Sequence, residues 1–115
     1  MRRGEVFWAD LKPRSGAEQA GRRPVIVVSH DAFNGAPGWR SVIVVPLSTS
    51  EAQARRGPTA IPLAPGSGGL KKGGVALCHQ VTTLDREKLT ERVGILPADV
   101  MSRLGDGLRA ALDLE

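Results

Sequence analysis

Arg23-Pro24 leads directly into Val25-Ile26-Val27-Val28, and Ser41 leads into Val42-Ile43-Val44-Val45. Runs this short and continuous, dominated by β-branched residues, read as strands, and the first of them as one covered on both faces. Strands are therefore expected at Val25–Ser29 and Ser41–Val45, the latter ended by Pro46 near its edge. A chain of 115 residues has material for one modest core and no more. The same sheet must then supply much of the cover for its own two faces.

The remaining pattern is consistent with such a sheet. Val6–Leu11 reads as the first strand, Thr59–Leu63 as a short fourth with Pro62 marking an edge, Gly74–Val81 as a fifth and Arg92–Ile95 as a sixth. Asp31 is expected to cap one helical turn through Ala32-Phe33-Asn34. Two long polar connections, 12–22 and 50–57, separate the strands. The Gly-rich stretch 66–74 lacks phosphate-loop spacing, because Lys71 and Lys72 do not follow the required glycines and no helix pattern comes after. The chain closes with one amphipathic helix: Pro97 is placed at its first position, and Val100, Leu104, Leu108 and Leu112 recur every four residues. Gly105 and Gly107 weaken that helix by about 1 kcal/mol each relative to alanine. With no βαβ alternation, the fold class is mainly β with a C-terminal helix, a strongly bent antiparallel sheet or small barrel forming one domain over 1–115.

Composition narrows the function. Aromatic residues are confined to Phe7, Trp8, Phe33 and Trp39, too few for a nucleic-acid binder built on stacking. The net charge is +4, but residues 1–72 carry 11 basic and 5 acidic groups while residues 73–115 carry 5 and 7. An anionic partner is thus expected on the first two thirds of the chain. A lone Cys78 inside Val75-Ala76-Leu77-Cys78 excludes an internal disulfide and reads as a buried thiol in a reducing compartment. No apolar run reaches membrane-span length and no signal-peptide pattern is present, so a cytoplasmic location is expected. Two His and one Cys offer no metal-ligand spacing, and no cofactor or metal is expected.

Chemistry concentrates at three places. The loop Gly16-Ala17-Glu18-Gln19-Ala20-Gly21-Arg22-Arg23-Pro24 carries a carboxylate, an amide and paired guanidiniums at the mouth of a buried strand. These groups suit a phosphate and a base. Pro24 holds Arg23 extended. At the end of the third strand come the hydroxyls of Ser48, Thr49 and Ser50, which either satisfy turn backbone or bond a phosphate held by Arg23. The third place is Leu77 to Arg86, with His79, Gln80 and Thr82; strict alternation puts Gln80 and Thr82 on the face opposite His79.

Four ordered segments, Arg3–Leu11, Gly16–Val25, Val42–Ser48 and Gln80–Asp85, together resemble the MazF/PemK family of toxin endoribonucleases (mRNA interferases) of type II toxin–antitoxin systems. The resemblance spans essentially the whole chain. It implies a small SH3-like barrel of the MazF/CcdB toxin type, a homodimer, and metal-independent cutting of single-stranded RNA to 2′,3′-cyclic phosphate and 5′-hydroxyl ends. It also implies a cognate antitoxin with an acidic or disordered segment laid over the basic groove. On it, Arg23 matches the catalytic arginine and Ser48 the position usually held by threonine. Glu18, Gln19 and Gln80 match RNA contacts, and Thr49 and His79 adjoin these matched positions. Glu18 and His79 are both open as the general base. Ala17, Ser48, His79 and Thr82 depart from the commonest family residues, which bears on target sequence more than on reaction type.

Two other readings belong to different classes. One is a non-catalytic toxin of the same fold that binds a protein target such as DNA gyrase. The other is an inert RNA-binding barrel, which the scarcity of aromatics disfavours. Arg23 together with Ser48 favours the nuclease, since a pure binder has no need of both at one strand mouth.

Overall fold

The computed structural model describes residues 1–11, 21–49 and 57–115. Seven strands, β1 (Glu5–Leu11), β2 (Gly21–Val27), β3 (Ser41–Ser48), β4 (Ala60–Leu63), β5 (Gly74–Leu77), β6 (Thr82–Asp85) and β7 (Leu89–Ile95), form one antiparallel sheet. A single turn, α1 (Asp31–Asn34), precedes β3, and the long helix α2 (Ala98–Leu112) ends the chain. Among the described residues no helix is long and apolar enough to cross a membrane.

The sheet runs β4-β5-β3-β2-β1-β7, with β6 also paired to β3. β3 is therefore shared. One edge meets β2, while the other meets β6 from Ser41 to Val44 and then β5 at Leu47 and Ser48. Pro46 does not end this strand, contrary to the sequence expectation. It stands in the hand-over between β6 and β5, where a missing N–H on that edge breaks neither ladder. The two end strands, β4 and β7, are not paired with each other, so the sheet is bent but not closed into a barrel.

The Val25–Val27 run is buried on both sides, as its composition requires, whereas in β3 Ile43 stands 43% exposed between buried Val42 and Val44. Val6, Ile26, Val45 and Leu47 join Val100 and Leu104 of α2 in one cluster. Ala9, Leu11, Val25, Val27, Val42 and Val44 form a second, edged by Phe7, Leu84 and Leu89 where the sheet curls over. Full burial of a side chain such as Ile26 or Leu104 contributes about 1.5–3 kcal/mol. Gly107 is the point of closest approach between helix and sheet: a Cβ there would stand 2.7 Å from Cys78 Sγ and 2.9 Å from Ile61 Cγ1. Its cost to helix propensity is thus the condition for α2 to lie down.

Other boundaries differ from the sequence expectation for tertiary reasons. β2 begins at Gly21 rather than Val25, because Gly21–Pro24 pairs with β1 despite its polarity. β7 starts at Leu89, three residues before the expected sixth strand. The expected fifth strand stops at Leu77; Cys78–Gln80 forms a 3-10 turn, and an unexpected strand, β6, follows. The alternation of His79 against Gln80 and Thr82 therefore does not exist. His30, not Asp31, caps α1, its Nδ1 accepting the Ala32 N–H at 2.9 Å, and Pro97 is the cap of α2 rather than its first residue.

Arg3-Gly4-Glu5, one of the segments that carried the resemblance, is architectural. Gly4 has φ +96 and donates its N–H to Val27 O at 2.8 Å, and Arg3 Nε donates to Val28 O at 3.1 Å. Glu5 is buried and accepts hydrogen bonds from Arg92 and from the Arg2 N–H. Burial pushes its carboxyl pKa upward, but those two bonds and the Arg92 charge outweigh it and hold the group below the ordinary 4.5. A lowered folded pKa makes the carboxylate stabilising above about pH 4.5, with that contribution lost as pH falls through the folded value. Thermal unfolding of Glu5→Gln should accordingly occur at lower temperature than wild type near neutral pH. The difference should shrink below about pH 4, and a gap that stays constant with pH would discount the Glu5 charge.

Candidate functional site

At the open ends of β2 and β3 lies a cavity of about 650 Å³. Its apolar floor is Trp8, Leu47, Leu70 and Val93; Arg23, Ser48 and Thr49 form one wall, and Lys71, Lys72 and Arg92 stand around it. β2 pairs with β3 as Val25↔Pro46, Ile26↔Val45 and Val27↔Val44. Continued by two residues, that register sets Arg23 opposite Ser48, and opposed residues of an antiparallel pair share a face. Arg23 is exposed and Ser48 is buried, so the guanidinium stands at the mouth and the hydroxyl deeper in the wall.

The cationic character is local. Arg92 is committed to Glu5, and Glu91, the one carboxylate lining the cavity among the described residues, pairs with Arg22 at 3.0 Å. Among the described residues no carboxylate pairs with Arg23, Lys71 or Lys72. Three cations, the Ser48 and Thr49 hydroxyls and an apolar floor make a site for a phosphodiester with a base attached.

The lysine pair arrives by an unusual route. The glycine stretch wraps through a 3-10 turn at Ser67–Gly69 and lays its backbone directly on β7. A Cβ on Gly69 (φ +84) would lie 2.5 Å from Val93 O, and one on Gly94 would lie 2.3 Å from Gly68 O. Only glycines permit that approach, and it delivers Lys71 and Lys72 to the rim. Sequence reasoning rightly denied this stretch a phosphate-loop geometry, yet missed the lysines. Trp8 and Glu91 were missed too, though Trp8 in a strand otherwise lined by smaller side chains was a signal.

Glu18 and Gln19 lie outside the described residues. His79 and Gln80 are described, and the structure does not bring them into this cavity. They belong to the 3-10 turn between β5 and β6, with His79 exposed and Gln80 half-buried. The chain leaves extended geometry there because Cys78 tucks under α2, its Sγ donating to Leu104 O at 3.8 Å. Burial pushes the Cys78 thiol up to about 11, so it is protonated at neutral pH and is no nucleophile. Among the described residues no three His, Cys, Asp or Glu side chains gather as a metal site.

Residues 2–112 match the family described as the PemK-like, MazF-like toxin of type II toxin–antitoxin systems. The chain belongs to that family. It is 36% identical over 112 residues to endoribonuclease MazF2 of Mycobacterium bovis, covering 97% of this chain and 96% of that one. It is 31% identical over 114 residues to endoribonuclease EndoA of Bacillus subtilis, covering 99% and 96%. Among solved structures, a mycobacterial endoribonuclease in complex with its cognate antitoxin superimposes with a TM-score of 0.80 at 25% identity, over 100% of this chain and 97% of that one. Relatives of this family therefore share the mainly antiparallel sheet and C-terminal helix seen here.

Proposed function

We propose that this chain is the toxin of a type II toxin–antitoxin pair and cuts single-stranded mRNA in the cytoplasm. The observation that carries the reading is that Arg23, Ser48 and Thr49 line one cavity together with Lys71 and Lys72. Curated relatives alike over nearly their whole length are endoribonucleases, which supports the same reaction here.

The chemistry follows from those groups. A ribose 2′-hydroxyl attacks the adjacent phosphate, the bond to the 5′-oxygen of the next nucleotide breaks, and a 2′,3′-cyclic phosphate and a 5′-hydroxyl remain. Negative charge grows on the non-bridging oxygens during the attack. Arg23 binds these in a bidentate fashion, and the Ser48 hydroxyl donates to one of them. A guanidinium keeps its proton in water and so cannot serve as base; the work of Arg23 is charge stabilisation with protonation of the leaving oxygen. Glu18 is the remaining candidate for the base, since His79 stands outside the cavity. Thr49 adds a hydroxyl for an RNA oxygen, Gln19 contacts a base, and His79 and Gln80, outside the cavity proper, read flanking nucleotides. The 2′-hydroxyl requirement restricts the substrate to RNA.

The relative solved with its cognate antitoxin supports an antitoxin partner for this chain as well. An acidic segment that folds as it binds would cover Arg23, Lys71 and Lys72 together and so silence the site. The working unit is a homodimer. The alternative of a toxin that poisons a protein such as gyrase is disfavoured, because the relatives named above are nucleases.

The test is a long defined single-stranded RNA incubated with purified protein in excess EDTA, its cut ends mapped by primer extension. Cuts at one recurring motif, with cyclic phosphate ends, are expected. Intact RNA from folded wild-type protein would replace this reading with the protein-targeting one.

A further inference from the structure

β2 alternates at its mouth: Arg23 opposes Ala9, while Arg22, one residue earlier, opposes Asp10 and so shares the face of Trp8. The Arg22 guanidinium lies over the Trp8 ring, 4.6 Å from its centroid, and Nη2 donates to Glu91 Oε2 at 3.0 Å. Glu91 sits directly across from Trp8 on β7. Trp8 and Glu91 both line the cavity, and Arg22 is held against these two lining residues by one aromatic face and one carboxylate.

This arrangement is built for exchange. The side chains of Arg22 and Glu91 are 51% and 65% exposed, and an ion pair so wetted contributes little. A phosphate presents the same fork of oxygens as a carboxylate and carries its charge into the same bidentate geometry. The indole meanwhile keeps the guanidinium in place whichever anion it faces. We propose that Arg22 is a second phosphate-binding residue of the site, occupied by Glu91 until RNA arrives, when it turns to the phosphate next to the one held by Arg23. The proposal rests on the nuclease reading above.

The test measures affinity for a single-stranded RNA that contains the cleaved motif with a 2′-deoxy substitution at the cut nucleotide, across a salt series. Arg22→Ala should weaken binding about tenfold and make the slope of log affinity against log salt shallower by about 0.7, the value for one phosphate of a single strand. Arg22→Lys should keep the slope. Glu91→Gln should tighten binding several-fold, and that gain should vanish in the Arg22→Ala background. Unchanged affinity and slope in Arg22→Ala would overturn the proposal. So would an equal gain from Glu91→Gln with and without Arg22, which would make Glu91 a general rim charge. Wild-type protein that neither cuts nor binds RNA would overturn the nuclease reading instead, so the two failures are distinguishable.

Discussion

Arg23→Ala should lower single-turnover RNA cleavage by about a thousandfold or more while leaving the thermal unfolding temperature within a degree or two of wild type. The size follows from the role of the side chain. One preorganised donor to a developing oxyanion accounts for about 10²–10³ in rate, and a guanidinium facing a phosphoryl transition state for about 10³–10⁵. The small stability effect follows from position, because the side chain is exposed and carries no ion pair among the described residues. Arg23→Lys should recover only a small part of the rate, since an ammonium keeps the charge but loses the planar fork. Ser48→Ala removes a single neutral hydroxyl and should cost less. The measurement is a quenched time course with enzyme in excess over a short RNA containing the motif. Arg23→Ala protein cleaving at even a tenth of the wild-type rate would move the catalytic role elsewhere.

Gly94→Ala should be among the most destabilising single-methyl changes in the molecule, at roughly 3 kcal/mol and a fall of about 10 °C in unfolding temperature. The added carbon would meet backbone, Gly68 O at 2.3 Å and Gly68 C at 2.7 Å, and backbone cannot swing aside as a long side chain can. Gly105→Ala supplies the opposite sign. Its nearest neighbour is the flexible Arg109 head at 3.6 Å, so a methyl meets nothing rigid, and helix propensity alone should stabilise by about 1 kcal/mol. Differential scanning calorimetry on the two variants settles both. Equal and small effects would mean that the glycine bend moves off β7 without cost. Gly94→Ala should also displace Lys71 and Lys72 and weaken RNA binding, since that bend carries them to the rim.

The difference between these glycines shows what the sequence could and could not disclose. Local pattern sufficed for Val25–Val27, because a run with no polar face leaves only one kind of environment; it also placed Val42–Val45 in a strand, though Ile43 is exposed there. It sufficed for the helix period of Val100 and Leu104, and for Cys78 as a buried thiol. It failed at β6, where nothing local marks the 3-10 turn at Cys78–Gln80 that separates Thr82–Asp85 from β5 and lets it pair with Ser41–Val44 of β3 instead. It failed at Gly94 and Gly107 for the same reason: nothing near either residue in the chain announces the atom that a methyl would strike. The site divides along the same line. Arg23 and Ser48 were legible, since a strand mouth and a strand end suffice to nominate them. Trp8, Glu91 and the lysine pair were not, since pairing of β1 with β7 and the glycine bend against β7 assemble them from distant stretches.

That assembly has a consequence for synthesis. The floor of the cavity joins Trp8 to Val93, and Glu5 reaches across the sheet edge to Arg92. A nascent chain therefore cannot complete this cavity until β7 has left the exit tunnel and the first strand at last meets its partner.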